Sequence, residues 1–497
     1  MKINIPNRSP LIRFAWLAPL TLILLLAGCA TNPVTGERDF VLMSEQQELS
    51  LGQQYHKQLM DQQYDVYDDP KLQEYMSRLG QQLARQSHRP DIDYTFTLVD
   101  SPQVNAFALP GGYIYITRGI MAYFNSEAEF AGVLGHELGH VTARHSVRQQ
   151  SAATASSIVG NILLATTDAG AGAGNLFQTV QLAAIRGYGR DHELEADRLG
   201  AEYLARTGYD PEEMLGVVRI LADQESYERR RAEAEGREPN VYHGLFSTHP
   251  DNDARLQEVI RAANKYAADD PRPAGREAYL KRIDGMTYGP GASQGAVVDR
   301  EFLHLELDAA LEAPPEWKID NQPQRVLFLA PDDEAALQVT LGEADSGTEP
   351  RRLLEGRIGQ AELERGRRFE AKGLSGYTGV VRGRTQQGLR ILRHTVLIKD
   401  GRPWYFVATS RDPAEFDRFD ERFLDIAGSL SSLTEAQKRA AQPLRIKVVR
   451  ADANTTYKEL ARGVNGVEDA TARLRLLNGD WPDAEPQQGQ LVKTLVR

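Results

Sequence analysis

The sequence predicts a multidomain chain: a mainly α-helical domain with a small β-sheet, then an α+β domain, then a small strand, helix, helix, strand (βααβ) segment. At 497 residues the chain exceeds what one hydrophobic core usually organises. Helical spacing of apolar residues dominates residues 40–270, and strand-like alternation replaces it from residue 302 to about 433. Stretches rich in Pro, Asp and Gly at residues 269–275 and 288–295 separate the two regimes.

The first element is an export signal. Lys2, Arg8 and Arg13 precede an apolar run over residues 14–27 that ends in Leu26-Ala27-Gly28-Cys29, a pattern that resembles a bacterial lipoprotein signal with its lipobox. The run is shorter than the roughly 20 residues a membrane-spanning helix needs. Cleavage is expected to leave a lipidated Cys29 as the first residue, attaching the protein to a membrane. Ala30 and Thr31 offer no acidic retention signal, so the expected place is the periplasm, on the inner leaflet of the outer membrane. Cys29 is the only cysteine, which excludes internal disulfides and cysteine metal sites. Removing Lys2, Arg8 and Arg13 takes the net charge from −11 to −14. A chain of that charge with no basic, aromatic-interleaved stripe is not expected to bind nucleic acid.

Helical patterning covers residues 44–60, 70–87 and 211–234, the last opening with Asp210-Pro211-Glu212-Glu213, a cap followed by proline and acidic first-turn residues. Residues 93–97 and 113–117 alternate as strands around Pro110-Gly111-Gly112, and either could be internal or an exposed edge. Asn105, Ala106 and Phe107 mark a candidate edge where a peptide could add as an extra strand. Residues 152–166 are apolar but studded with Ser and Thr, and residues 168–174 are almost all Gly and Ala. Two readings stand: a lid hinged on glycine, or a loosely packed helix pair and its linker.

The chemistry is concentrated at His136-Glu137-Leu138-Gly139-His140. Two histidines four apart share one face of a helix, so both imidazoles reach one Zn2+ while Glu137 points at the metal's open position. Ser126-Glu127-Ala128-Glu129 reads as the helix start, and Phe130, Val133, Leu134, Leu138 and Val141 as its apolar stripe. Catalytic zinc takes three protein ligands and keeps a fourth position for water, whose pKa it lowers to about 7. The third ligand must come from elsewhere, and Glu193 and Glu195 are the candidates. Asp197 falls on the same helical face as Glu193 and can hold the outer N–H of a ligating imidazole.

These residues resemble the gluzincin metallopeptidases that include the CAAX prenyl protease and its bacterial periplasmic lipoprotein relatives. The resemblance covers roughly residues 32–265 and rests on Asn32-Pro33-Val34-Thr35-Gly36, on Asn105-Ala106-Phe107-Ala108-Leu109-Pro110-Gly111-Gly112, on the HELGH string, on Glu193 to Asp197, and on Ser247-Thr248-His249-Pro250. It implies a zincin-type fold with one Zn2+, Glu193 as third ligand, Glu137 as catalytic base and Asp197 in support. His249 has three readings: a donor to the oxyanion, a regulatory fourth ligand that covers the zinc, or a structural histidine before Pro250.

Past residue 302, strands are expected at 336–341, 389–398 and 404–410, the last two flanking the hairpin turn Lys399-Asp400-Gly401-Arg402, with a helix at 414–429. This pattern faintly resembles small periplasmic domains of the PsbP type and carries no catalytic constellation. Residues 444–497 read as strand, helix, helix, strand and resemble a LysM module, a peptidoglycan-binding fold, although Asn454-Thr455 stands where that family usually has Gly-Asp.

The expected organisation is a signal peptide at 1–28, a zinc metallopeptidase domain at 29–275, an α+β accessory domain at 296–435 and a LysM-like domain at 443–497. Two functions fit: a lipid-anchored zinc endopeptidase acting on envelope proteins in quality control or outer-membrane assembly, or a non-enzymatic chaperone or assembly factor for them. The complete set of zinc residues favours the first.

Overall fold

A computed structural model describes residues 29–154, 188–238, 252–267, 269–322, 324–345, 347–385, 388–464 and 466–497. The expected signal peptide, most of the glycine-rich stretch and His249 lie outside these residues. The chain divides into two compact units, residues 1–286 with 446–464 and 469–494, and residues 287–445 with 465–468 and 495–497.

In the first unit, strands β1 (Cys29–Thr31) and β2 (Arg38–Phe40) pair antiparallel, with Cys29 opposite Phe40. The Asn32-Pro33-Val34-Thr35-Gly36 string makes the turn between them. The Asn32 side chain accepts from the backbone N–H groups of Val34 and Thr35 and donates to Asp39 at 2.8 Å. Helix α1 (Glu45–Gln62) starts at Ser44 with a full capping box, because Gln47 reaches back to the Ser44 backbone. Helix α2 (Pro70–Ala84) starts at Asp69 with proline at its first position.

A three-stranded sheet follows: β3 (Thr95–Val99), β4 (Ala106–Leu109) and β5 (Tyr113–Thr117), in the order β3-β5-β4. The sequence suggested two strands around Pro110-Gly111-Gly112. That turn instead joins β4 to β5, whereas β3 pairs parallel with β5. The reason is backbone geometry. Gly111 and Gly112 both hold positive φ, at 79° and 98°, and a Cβ on Gly112 would sit 2.8 Å from Ile92. The short strand β4 thereby becomes one of the two outer strands of the sheet, with β3 on the other side.

Helix α3 (Arg118–Met121) leads to α4 (Glu127–Thr142), whose first turn is capped by the Ser126 hydroxyl on the Glu129 N–H. Apart from Glu127 and Glu129, every residue of α4 is buried, so the predicted apolar stripe is one side of a helix enclosed all round. Against it pack α5 (Arg190–Arg206), α6 (Glu213–Ala234) and α8 (Arg276–Ile283), and α7 (Asn252–Tyr266) packs in turn on α5 and α6. No helix among the described residues is long and apolar enough to cross a membrane.

Residues 446–464 and 469–494 belong to this same unit. The C-terminal segment has the expected order: a strand (Leu444–Arg450), a short helix (Tyr457–Ala461), a second helix (Ala470–Asn478) and a last strand (Leu491–Val496). Its Lys493 amine is fully buried, which pulls its pKa well below the usual lysine range, and it donates to the carbonyls of Ala122 and Phe124, both at 2.8 Å, just ahead of the cap of α4. The Asn478 amide brackets the Lys493 backbone at 2.7 and 2.9 Å. Trp481 meets Tyr227 of α6 edge to face at 5.4 Å and lies under the Arg230 guanidinium at 5.1 Å.

The second unit is built on a seven-stranded antiparallel sheet whose strands lie in the order Lys318–Gln322, Arg325–Leu329, Ala335–Leu341, Arg402–Ser410, Gly388–Lys399, Leu374–Thr385 and Leu363–Ala371. The strands Ala335–Leu341, Gly388–Lys399 and Arg402–Ser410 occupy the predicted stretches. The expected turn at Asp400-Gly401 is present, both residues holding positive φ as a tight hairpin requires. A helix at Phe416–Gly428 covers the sheet with Phe416, Phe419, Phe423 and Ile426, which meet Trp317, Phe328 and Phe406 in one core.

Candidate metal centre

Helices α4 and α5 carry the site, and small residues let them approach closely. A Cβ on Gly135 would lie 3.3 Å from the Gly200 Cα, and one on Gly139 would lie 3.2 Å from the Ala196 Cα. With backbone against backbone, Glu193 at the start of α5 comes over the two imidazoles of α4.

One ligand atom from each of His136, His140 and Glu193 lies within 4.8 Å of the others, and all three residues are buried. The two Nε2 atoms are 3.0 Å apart, and each is 3.5 Å from a Glu193 carboxylate oxygen. Zinc–nitrogen bonds of about 2.0–2.1 Å in a tetrahedral arrangement separate two ligand nitrogens by about 3.3 Å. The donor set therefore fits one Zn2+ in both chemistry and spacing. The local field also favours a cation: burial pushes the His136 imidazole pKa down, but Asp197 and Glu193 pull it up to about 9. Glu137, the next residue after His136 on the same helix, is also buried.

Asp197 sits behind His136, its carboxylate 2.9 Å from Nδ1, which leaves Nε2 for the metal. Sequence reasoning missed what holds Asp197. Arg255 of α7 grips it with two parallel bonds, Nε at 2.7 Å and a terminal nitrogen at 2.8 Å, and is itself 1% exposed. Burial opposes ionisation of Asp197, but Arg255 and His136 overcome it and hold the carboxyl below its usual range. A lone arginine six residues after His249 gives no sequence signal of burial; only the packing of α7 on α5 reveals it.

Glu195, the rival ligand, points away from the two ligand imidazoles. It accepts from Arg148 at 2.9 Å and lies 3.0 Å from His145 Nε2. Burial raises its pKa, yet His145 and Arg148 bring it to about 2. His145 was also missed: its Nδ1 is 2.8 Å from His140 Nδ1, and its ring stacks on His192 at 4.3 Å. The only sequence clue is a histidine placed five residues after a ligand. Tyr188 lies flat on the His140 ring at 3.9 Å and 16°, with its hydroxyl 2.7 Å from Ser146. A narrow cleft lined by Ala108, Leu109, His140, Val147 and Tyr188 runs between β4 and the metal helix.

Of the other expected site residues, Asn105 directly precedes the edge strand and Ala106 and Phe107 begin it, Phe107 stacking on Tyr115 at 4.7 Å. Cys29 begins β1.

Residues 70–263 match the model of Peptidase family M48. The "Beta-barrel assembly-enhancing protease" of Yersinia pestis is 34% identical over 269 residues, covering 52% of this chain and 52% of that protein. The "Mitochondrial metalloendopeptidase OMA1" of Arabidopsis thaliana is 35% identical over 147 residues, 29% of each chain. The chain thus spans about half the length of the curated assembly-enhancing proteases it matches. Among solved structures, the solution structure of cyanobacterial PsbP from Synechocystis sp. PCC 6803 is 17% identical and covers 29% of this chain and 98% of that one. Its TM-score of 0.23 carries no argument.

Proposed function

We propose, from a peptidase family M48 domain at residues 70–263, that this chain is a zinc-dependent endopeptidase of the bacterial cell envelope, anchored in the periplasm through a lipid on Cys29. The observation that carries the reading is the convergence of His136, His140 and Glu193 on one point beside Glu137. The relatives named as β-barrel assembly-enhancing proteases make outer-membrane proteins under assembly the proposed substrates.

A bound Zn2+ would supply Lewis acidity, activating a water and polarising the scissile carbonyl. The chain's own residues do the rest. His136, His140 and Glu193 would hold the ion, and Asp197 fixes the His136 tautomer. Glu137 takes the proton of the attacking water and delivers it to the leaving amine. The edge strand β4 is assigned to aligning the peptide by main-chain hydrogen bonds, which demand little of its sequence. His249 is assigned to oxyanion stabilisation or to covering the metal as a fourth ligand.

Trp481, the aromatic side chain of the C-terminal segment best suited to stacking on a sugar, is committed to Tyr227 and Arg230. We therefore assign residues 446–494 to bracing the peptidase rather than to peptidoglycan.

Glu137→Gln tests the proposal. Zinc content stays at one per chain, whereas cleavage of an unfolded envelope protein falls by about 100-fold or more. Wild-type cleavage by this variant would remove Glu137 from the mechanism. Full rescue of a deletion strain by it would favour an assembly factor over an enzyme.

A further inference from the structure

We propose that His145 is the positioning residue for the metal ligand His140, and that Glu195, Arg148 and Asp39 tie this orientation to the N-terminal hairpin that begins at Cys29. The inference rests on the zinc reading of the site.

His140 turns Nε2 toward the other ligand imidazole, 3.0 Å away, so its Nδ1 is the outer nitrogen. That nitrogen lies 2.8 Å from His145 Nδ1. Two ring nitrogens at this separation share one proton, so one ring must donate and the other accept. The far side of His145 settles which. Its Nε2 is 3.0 Å from Glu195 Oε2, an oxygen that already accepts from Arg148 at 2.9 Å. A carboxylate in that position can only accept, so Nε2 of His145 carries the hydrogen and its Nδ1 carries a lone pair. His140 therefore donates through Nδ1–H and keeps its own lone pair on Nε2, where a metal ligand needs it.

The arrangement treats the two ligands differently. His136 is oriented by a carboxylate directly, through Asp197 at 2.9 Å, whereas His140 is oriented by a neutral imidazole with its carboxylate one step further out. His145 is completely buried and its ring is held by the stack on His192, so it offers one orientation only.

The chain of contacts then runs outward. Arg148 lies 3.3 Å from Asp39, and Asp39 accepts from Asn32 at 2.8 Å. Asp39 is on β2, opposite Ala30, and the next pair in the ladder is Phe40 with Cys29. The first residues after the expected lipid attachment point are thus connected, partner by partner, to a metal ligand.

Zinc affinity, read by competition with a chromophoric chelator, and the visible spectrum of the cobalt-substituted protein test this without reference to activity. His145→Phe keeps the ring stack but removes the acceptor; it should weaken zinc binding about 10- to 100-fold and shift the cobalt spectrum. Glu195→Gln, which still presents an oxygen to His145 Nε2–H, should lose less than His145→Phe. Asp39→Ala should show a smaller loss in the same direction. Unchanged affinity and an unchanged spectrum in His145→Phe would overturn the proposal. Should that variant fail to fold, Glu195→Leu carries the same expectation and the same overturning result. Glu193→Ala in the same assay separates the two levels: wild-type zinc binding there defeats the zinc site itself, whereas its loss together with a silent His145→Phe defeats only the relay.

Discussion

A Cβ placed on Gly139 would stand 3.2 Å from both the Cα and the carbonyl oxygen of Ala196, so the glycine inside the HELGH string is where the metal helix touches the helix that brings Glu193. The string's two histidines and its glutamate are the residues to which the proposed chemistry is assigned. Its glycine sets the distance at which a third ligand can arrive.

Gly139→Val should accordingly damage the site without touching a ligand. The added methyls meet Ala196 and Leu199 in a packed interface, where overfilling costs about 1–3 kcal/mol and moves Glu193 off the imidazoles. Metal analysis together with a thermal melt should show both a lower zinc content and a lower Tm. Gly139→Ala should show the same changes in milder form, since the helices need give only a few tenths of an ångström.

The Arg255–Asp197 pair should behave as a unit. Removing one member leaves a buried charge alone, at a cost of about 3–5 kcal/mol, so Arg255→Met and Asp197→Leu are each strongly destabilising. The double variant should recover much of that stability in denaturant titrations while still binding zinc weakly, because His136 has lost its outer partner. Additive losses would show that the two residues act separately.

Lys493→Met should destabilise the first unit from a distance of more than three hundred residues along the chain. It strips the donor from the Ala122 and Phe124 carbonyls, and leaving a buried acceptor unsatisfied costs about 1–3 kcal/mol. The measurement is the urea midpoint of the full chain compared with that of Lys447→Met, whose exposed amine lies 3.2 Å from Asp284.

The second unit should lose stability in mild acid. Burial lowers the His394 pKa from its ordinary 6.5 to about 4, with Arg357 adding to the effect. The folded state thus binds fewer protons than the unfolded one across that window. The His394 contribution is complete above pH 6.5 and is lost as pH falls toward 4. His394→Leu should flatten the stability profile between these values, and an unchanged profile would exclude His394 as its source.

Much of the site was legible because its chemistry is local. The i, i+4 histidines with Glu137 between them follow from helical geometry alone, and the Asp400-Gly401 hairpin follows from the backbone angles those residues accept. Glu193 and Glu195 could not be separated by spacing, since both lie on one helix; the direction in which α5 faces α4 separates them. The β4–β5 pairing was missed because Pro110-Gly111-Gly112 signals a turn without saying which flanking strand returns through it.

By itself the sequence determined the ligand types, the helix that presents two of them, the change from helical to strand patterning, and the order of the C-terminal elements. Only the tertiary structure decided that Arg255 holds Asp197, that His145 and Glu195 stand behind His140, and that Lys493 closes over the entry to the metal helix. The physical reason is that each of these is a buried polar contact between residues far apart in the chain or on different elements. A buried polar group must find its partner wherever packing places one, and no periodicity in the sequence records where that is.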